Sequence, residues 1–258
     1  MMRNWRLTGL EFAALWGAMR ESGALPGPFI LTCRIPLYRD YLEAKRIALA
    51  EVRARLGGSI EEVLDIVAKP DIRIVANGVD LIADGARTRL HAARRGSNAY
   101  LLEQASREPG EDGGEFVVWE HGVTELGAAV VSRIPAAGAG RLRNVDLSTH
   151  IEAGMDQEYG RYLTREPVED PAWYSSEKFL RTPVTNIGTI FIGQGVSRFG
   201  SGHAARRVLE WRDLHDDGRY VIARHGNPVA FGVDTSGFTA RVDGELVEVV
   251  RAIKDERR

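Results

Sequence analysis

The sequence has a single cysteine, Cys33, so an internal disulfide framework is excluded. Structural disulfides belong to oxidising compartments, and their absence favours a cytoplasmic protein. Cys33 lies in the apolar stretch PFILTCRIP, with no histidine or other base near it in the sequence. Because a thiol without an activating neighbour behaves as a small apolar side chain, we expect Cys33 to be buried and not to be a nucleophile.

Neither sign of charge dominates, since 34 basic residues face 36 acidic ones and the formal net charge is −2. Broad electrostatic capture of nucleic acid needs a basic surplus, so no nucleic-acid partner is expected. No stretch approaches the roughly 20 apolar residues of a membrane helix. The beginning, MMRNWRLTGLEFAALW, also lacks the layout of a secretory signal. We therefore expect a cytoplasmic protein without membrane insertion.

Signatures of catalysis and of cofactor binding are missing as well. The sequence has no G-x-S-x-G elbow, and its six histidines include no pair at i and i+4 on a predicted helix. The stretch IGQGVSRFGSGH at 192–203 is rich in glycine but lacks the third glycine of a dinucleotide fingerprint and the Gly-Lys-Ser/Thr of a phosphate loop. We expect no metal, no cofactor and no enzymatic activity. The glycine-rich stretch is then a connection that can adapt to a partner or a plain loop.

The stretch LEWRDLHDDGRYV at 209–221 keeps an enzymatic alternative open, because it places His215 among several aspartates. Apolar and polar residues alternate before and after the dipeptide Asp217-Gly218, which suits a tight hairpin turn. We expect a hairpin. The alternative is a metal-dependent or acid/base enzyme that uses His215, Asp213 and Asp217.

Helical periodicity dominates the beginning of the chain. Thr8 and Glu11 have capping-box spacing and begin a first helix that ends by Gly23. A second helix is predicted at about 38–56, and Ser59 and Glu62 form a second capping box that begins a third. The pattern then changes to alternation, which predicts four strands and a helix, at 72–76, 86–92, 99–104, 115–120 and about 123–134.

The same order of elements recurs after the linker-like PAAGAG at 135–140. Two helical stretches within 156–181 precede four strands and a final helix, near 187–192, 204–213, 219–224, 228–233 and 243–254. This order predicts a duplication. The pentapeptide HAARR, at 91–95 and again at 203–207, does not prove it, because it ends one predicted strand and begins the other.

Candidate partner-binding residues come from apolar side chains outside the regular core pattern and from the glycine-rich stretch. The helical segment PAWYSSEKFL carries four large apolar residues, which are either core or the lining of a groove for another protein's helix. The candidate partner-binding residues are Gln194, Ser197, Arg198, Phe199, Ser201, Trp173, Phe179 and Phe231. A nucleic-acid-binding alternative would use the strand arginines Arg87, Arg89, Arg94 and Arg95.

Three segments occur in the order and spacing of a known family: LTGLEFAALWGAM followed by LPGPF, then GSIEEVLDIVAKPDIRI, then GSGHAARRVLEWRDLHDDGRYVI. With them the sequence resembles the EspG family, the ESX secretion-associated proteins of mycolic-acid actinobacteria. The resemblance runs from residue 7 to about residue 223. Two departures are the form GQGVSRFGSGH, where the family has a tighter Gly-Gln-containing version, and an additional strand, NPVAFGV.

The resemblance implies an α+β fold with a central antiparallel β-sheet flanked by helical bundles. It implies one domain, 1–258, with two quasi-two-fold-related halves of about 1–137 and 138–258. It also implies a cytosolic chaperone without catalytic activity, which binds the PPE subunit of a PE–PPE heterodimer, keeps it soluble and directs it to a type VII (ESX) secretion system. The choice of pair and of secretion system is left open, and the helical bundles would allow a homodimer.

Overall fold

One ten-stranded sheet runs through the chain. The computed structural model describes residues 3–20, 24–83, 85–105, 114–148, 171–195, 197–226 and 228–257. All of the paired strands are antiparallel. The strands are β1 (Asn4–Leu7), β2 (Ile72–Asp80), β3 (Arg87–Arg95), β4 (Asn98–Ala105), β5 (Glu115–His121), β6 (Asn144–Asp146), β7 (Val184–Gln194), β8 (Arg206–Leu214), β9 (Arg219–Ala223) and β10 (Val229–Gly232).

The strand order is symmetric about the centre of the sheet. It reads β1-β5-β4-β3-β2-β7-β8-β9-β10-β6, so β2 and β7 are the two central strands. On each side, four consecutive strands form a meander, and a short strand from earlier in the chain closes the edge. This arrangement confirms the predicted α+β class with two quasi-two-fold halves. The boundaries 1–137 and 138–258 within one domain stay a prediction.

Helices pack on both faces of the sheet. The described ones are α1 (Gly9–Met19), α2 (Tyr38–Leu56), α3 (Ser59–Ala68), α4 (Leu126–Val131), α5 (Pro171–Arg181) and α6 (Thr235–Glu256), with a short 3₁₀ turn at Ser201–His203. The capping box of Thr8 and Glu11 is confirmed. The one predicted for Ser59 and Glu62 is wrong, because Gly58 is the N-cap residue and the Ser59 hydroxyl instead donates to the carbonyl of Leu56.

One face of the sheet, called the closed face from here on, is covered by α4 and α6. Trp211 lies at its centre, fully buried, and its Nε1 donates to Asn186 Oδ1 at 2.8 Å. Gly78 and Gly188 make room for its ring, since a Cβ there would approach the ring to 2.4 and 2.1 Å. The surrounding core includes Ile74, Ala76, Ile190, Ile192, Leu209, Val130, Phe238, Val242 and Val249.

The opposite face carries two separate cores. The first packs α1 and α3 against β3, β4 and β5, and it includes Phe12, Trp16, Leu64, Tyr100 and Phe116. The second lies over β9 and β10, where Phe179 of α5 contacts the ring of Tyr220 at 5.1 Å between centroids. Neither core extends over the middle of this face among the described residues. The two halves therefore share one continuous core on one side only.

The structure departs from the sequence prediction at two edges and one loop. Strands β1 and β6 were not predicted, and Cys33 is exposed and not buried. The chain around Cys33 is irregular and largely exposed, because it crosses the surface to reach α2. Of the helical stretches predicted at 156–181, residues 156–170 lie outside the described residues. Within the described part of the chain, none of the helices has the length and apolar character needed to cross a membrane.

Candidate functional site

On the face opposite the closed face, side chains of β2, β7 and β8 form the middle of the sheet, between the two cores. This surface is called the open face, and its residues are Val75, Asn77, Val79, Ile187, Thr189, Phe191 and Val208. Asn77 and Thr189 are paired across the two central strands, and both are exposed. The apolar members around them are half-buried. A sheet centre is normally the most covered part of a fold, and none of the described helices covers this one, so its apolar side chains are available to another molecule.

Exposed apolar side chains lie at one end of the open face. Leu81 and Ile82, in the turn between β2 and β3, are 55% and 68% exposed. The Leu81 amide donates to the carbonyl of Thr185 at 2.8 Å, which fixes this turn beside the beginning of β7. Helix α5 ends just before β7 and carries exposed Leu180. The turn and the helix end together give the open face an apolar rim.

The charged residues of the open face are paired. Glu210 on β8 is 3% exposed, and its carboxylate accepts hydrogen bonds from the guanidinium groups of Arg212 and Arg224. Glu210 is the strand partner of Thr189, so this cluster borders the exposed polar pair. The two ion pairs hold the arginines in place beside the open face. The open face itself offers apolar contact and hydrogen-bonding groups.

The glycine-rich stretch lies at the opposite end of β7, which has 11 residues and spans about 35 Å. Glu256, in the last turn of α6, holds it. Its carboxylate accepts hydrogen bonds from Gln194 Nε2, from Ser197 Oγ at 2.9 Å and from the Arg198 amide. The bond from Gln194 contributes most to holding the pKa of Glu256 below its usual range. The loop is therefore fixed to the helix, and it presents Phe199, which is 68% exposed.

The predicted partner-binding residues occupy different places. Gln194 and Ser197 are buried and bonded to Glu256, whereas Arg198 and Phe199 are exposed. Ser201 begins the 3₁₀ turn, and its side chain lies outside the described ones, as does that of Trp173 at the beginning of α5.

The two remaining predicted residues lie away from the glycine-rich loop. Phe179 is 2% exposed in the core under α5. Phe231 is half-buried on the closed face, with the Arg241 guanidinium 3.5 Å from its ring centroid. The structure brings together only the residues of the loop.

The stretch LEWRDLHDDGRYV forms the predicted hairpin between β8 and β9. Asp213 and Arg219 make a buried two-pronged ion pair, at 2.7 Å for each bond. Asp217 accepts hydrogen bonds from the Arg141 amide and the Tyr220 hydroxyl, both at 2.8 Å, and burial raises the pKa of Tyr220 to about 12. His215 is exposed in the turn. These aspartates hold the backbone and a guanidinium, which is a structural role.

Among the described residues, the structure assembles neither the alternative metal site nor the alternative nucleic-acid-binding surface. In the described ranges, no group of three or more His, Cys, Asp or Glu side chains has an arrangement that could hold a metal ion. Of the strand arginines, Arg89 is buried, and Arg95 pairs with Asp65 at 2.8 Å. Arg94 points to the closed-face side of β3, where it lines a small cleft with Lys254 of α6. The four arginines therefore do not form one basic surface for nucleic acid.

Sequence reasoning missed the open face. Asn77 and Thr189 are single polar positions in two alternating strands, 112 residues apart, and each is ordinary by itself. Only the pairing of β2 with β7 places them side by side. Of the sequence features, only the predicted duplication could have indicated this pairing. Two symmetric meanders can join along the first strand of each.

The model of the EspG family matches residues 8–251 of the sequence. The chain belongs to the EspG family. A search of curated proteins returned no match. Among solved structures, the fold is similar to that of the Mycobacterium tuberculosis type VII secretion system chaperone EspG5, determined in complex with a PE25-PPE41 dimer. The TM-score is 0.57 with 14% sequence identity, over 96% of each chain.

The residues that carry the family resemblance can now be located in the structure of this EspG family member. Trp211 is the centre of the closed-face core, and Arg219 and Tyr220 fix the hairpin. The segments that made the sequence recognisable therefore encode the sheet and its core. Of the open face they contain Val208 alone, and Asn77 and Thr189 lie outside them.

Proposed function

We propose that this chain is a chaperone that binds the PPE subunit of a PE–PPE heterodimer in the cytosol, keeps it soluble and directs it to a type VII secretion system. The observation that carries the proposal is the centre of the open face, which no described helix covers, in a member of the EspG family. A family relative with the same fold over nearly its whole length has been determined with a PE–PPE dimer.

The proposed contact surface is the open face with its apolar rim. Its half-buried apolar side chains and the exposed groups of Asn77 and Thr189 offer both the apolar contacts and the hydrogen bonds that an interface uses. Leu81, Ile82 and Leu180 would contact an apolar tip that is otherwise exposed to water. The glycine-rich loop, with Arg198 and Phe199, stays a predicted second contact at the far end. A homodimer also stays a prediction.

The first experiment is co-expression of the tagged chain with each PE–PPE pair encoded in the same genome. We expect a soluble ternary complex with one pair and more soluble PPE protein than the pair yields without the chain. Failure to capture any pair, with the chain folded, would contradict the proposed function.

A matched pair of variants then tests the surface. Asn77→Arg places a charge at the centre of the open face, whereas Asn98→Arg makes the same change at an exposed strand position outside it. A charge at the centre of an interface is desolvated without a partner, so we expect Asn77→Arg to weaken binding at least about tenfold and Asn98→Arg to have no effect. If Phe199→Ala abolishes capture while Asn77→Arg does not, the contact lies at the loop and not on the open face.

A further inference from the structure

A cleft with a volume of about 560 Å³ opens beside the open face, near the first residues of β2. Its floor is a row across three strands, because His91 of β3 and Phe191 of β7 both pair with Val75 of β2. Trp16, Pro26 and residues at the end of α3 form the walls. The volume lies within the range of small-ligand sites.

The wall of the cleft is fixed to the scaffold. The segment from Ala24 to Ile30 is irregular, yet three side chains from α1 and two strands hold it. Trp16 Nε1 donates to the Ala24 carbonyl at 2.7 Å, and His91 Nδ1 lies 2.7 Å from the Gly27 carbonyl oxygen. The Gln104 amide bonds to both backbone groups of Ile30. The wall of the cleft is therefore anchored to α1, β3 and β4.

His91 lines the cleft and carries one hydrogen-bond acceptor without a partner. A carbonyl oxygen only accepts, so the Nδ1 beside Gly27 carries the proton. The side chain is 4% exposed, and burial lowers its pKa to about 4, so the imidazole is neutral at pH 7. Nε2 is then an unprotonated acceptor, and this buried atom has no hydrogen-bond partner.

Arg73 supplies the complementary donor. Its Nε is buried without a hydrogen-bond partner, and its guanidinium lies 5.3 Å from the centroid of the Phe191 ring. Gly193 is the strand partner of Arg73 and has no side chain to fill the space, and Phe191 folds over it. His91 and Arg73 thus line the same cleft, and each has a buried polar atom without a hydrogen-bond partner, whereas buried polar atoms normally have partners.

We propose that this cleft is a binding site for an amide group carried on a small apolar body. Because both atoms are closed to solvent in the free chain, rotations of the two side chains would open them to the amide, whose N–H would donate to His91 Nε2 and whose carbonyl oxygen would accept from Arg73 Nε. The apolar part would contact Trp16, Val75 and Phe191. The described lining contains arginines and no acidic side chain, but a carboxylate would leave Nε2 without a donor. The site does not depend on the proposed function.

The test uses the isolated chain with ¹⁵N-labelled histidine and N-acetyl-L-leucinamide as the probe. We expect a saturable change in the Nε2 resonance of His91 at millimolar probe, as befits a ligand of about a dozen heavy atoms. Arg73→Met should weaken binding at least about tenfold. Arg87→Met, at an exposed position on the neighbouring strand, should not change it. Unfolding curves of both variants check that the fold is intact.

Two further probes identify the ligand chemistry. If 4-methylpentanamide binds as tightly as the blocked amino acid, the site takes a simple amide, and if it binds more weakly, the site takes a peptide segment. Both results support the amide class. A carboxylate, N-acetyl-L-leucine, that binds more tightly than the amide would overturn it. So would unchanged binding in Arg73→Met, or the absence of any saturable change, which would mean that water alone fills the cleft.

Discussion

The two faces of the central sheet are built from the same strands, but their side chains are buried to different extents. On the closed face, β2 and β7 contribute Ile74, Ala76, Ile190 and Ile192, which are fully buried under α4 and α6. One residue along each strand, the side chains of the open face are half-buried or exposed. Alternation in a strand thus lets one sheet carry a stabilising core on one side and the proposed contact surface on the other. Substitutions on the two faces should separate stability from binding.

The largest effect is expected from a matched pair of phenylalanines. Phe238 is fully buried against Trp211 on the closed face, whereas Phe191 is half-buried on the open face. Phe238→Ala should lower the free energy of unfolding by about 3–5 kcal/mol, because a buried aromatic ring leaves a cavity. Phe191→Ala should cost about 1–2 kcal/mol, because its ring is already in part exposed.

Urea unfolding followed by circular dichroism measures both variants. Equal losses of unfolding free energy in the two variants would contradict this prediction. They would mean that the open face stabilises the fold as much as the closed face does.

The next effect concerns pH and His91, a buried histidine near the open face. The folded chain keeps His91 neutral down to a pKa of about 4, whereas an unfolded histidine binds a proton near pH 6.5. The contribution of neutral His91 to the free energy of unfolding is therefore complete above about pH 6.5. It is lost as the pH falls towards 4, a change of about 3 kcal/mol. His91→Gln, which keeps an amide donor for Gly27, should reduce the pH dependence of stability over this window by that amount.

Unfolding at several pH values in this range, for the native chain and the variant, gives the difference directly. Parallel curves would show that His91 is not held neutral.

The smallest effect on stability is expected at the loop that Glu256 holds. Glu256→Gln removes the charge that accepts the bonds from Gln194, Ser197 and the Arg198 amide. We expect faster hydrogen exchange in the peptide that covers residues 194–203, with little change in unfolding. Because the pKa of Glu256 lies below its usual range, the contact is complete at neutral pH and is lost only in acid.

Glu248→Gln is the control for this loop, since Glu248 binds Arg251 on the same helix. Equal exchange in the two variants would show that Glu256 does not hold the loop. With the loop released and the open face unchanged, partner binding in Glu256→Gln would then show how much the predicted contact at Phe199 adds.

Much of the fold was visible in local patterns. Helix α2 was predicted with the bounds that it has, and the strands of both meanders were predicted near their observed positions. The edge strands β1 and β6 were missed because they have 4 and 3 residues, too few to show alternation. Each is defined by a partner far along the chain, β5 and β10 respectively, so its pairing is a tertiary contact.

The surroundings of the predicted partner-binding segments, in contrast, could not be predicted from local patterns. The glycine-rich stretch was noticed for its composition, and the structure shows it fixed to Glu256, 62 residues beyond Gln194. The four large residues of PAWYSSEKFL could not be sorted by pattern, and of these the structure buries Phe179 and exposes Tyr174 and Leu180. Burial depends on which strands lie beneath a helix, and the helix sequence does not state that.

The sequence by itself determined the repeated order of helices and strands, the hairpin at Asp217-Gly218 and the family. These follow from periodicity and turn chemistry, which act between residues close along the chain. The tertiary structure alone decided that β2 and β7 meet at the centre, that Asn77 lies beside Thr189, and that His91 and Arg73 line one cleft. The physical reason is that a surface is made by side chains from distant segments, and only the pairing of strands brings them within contact distance.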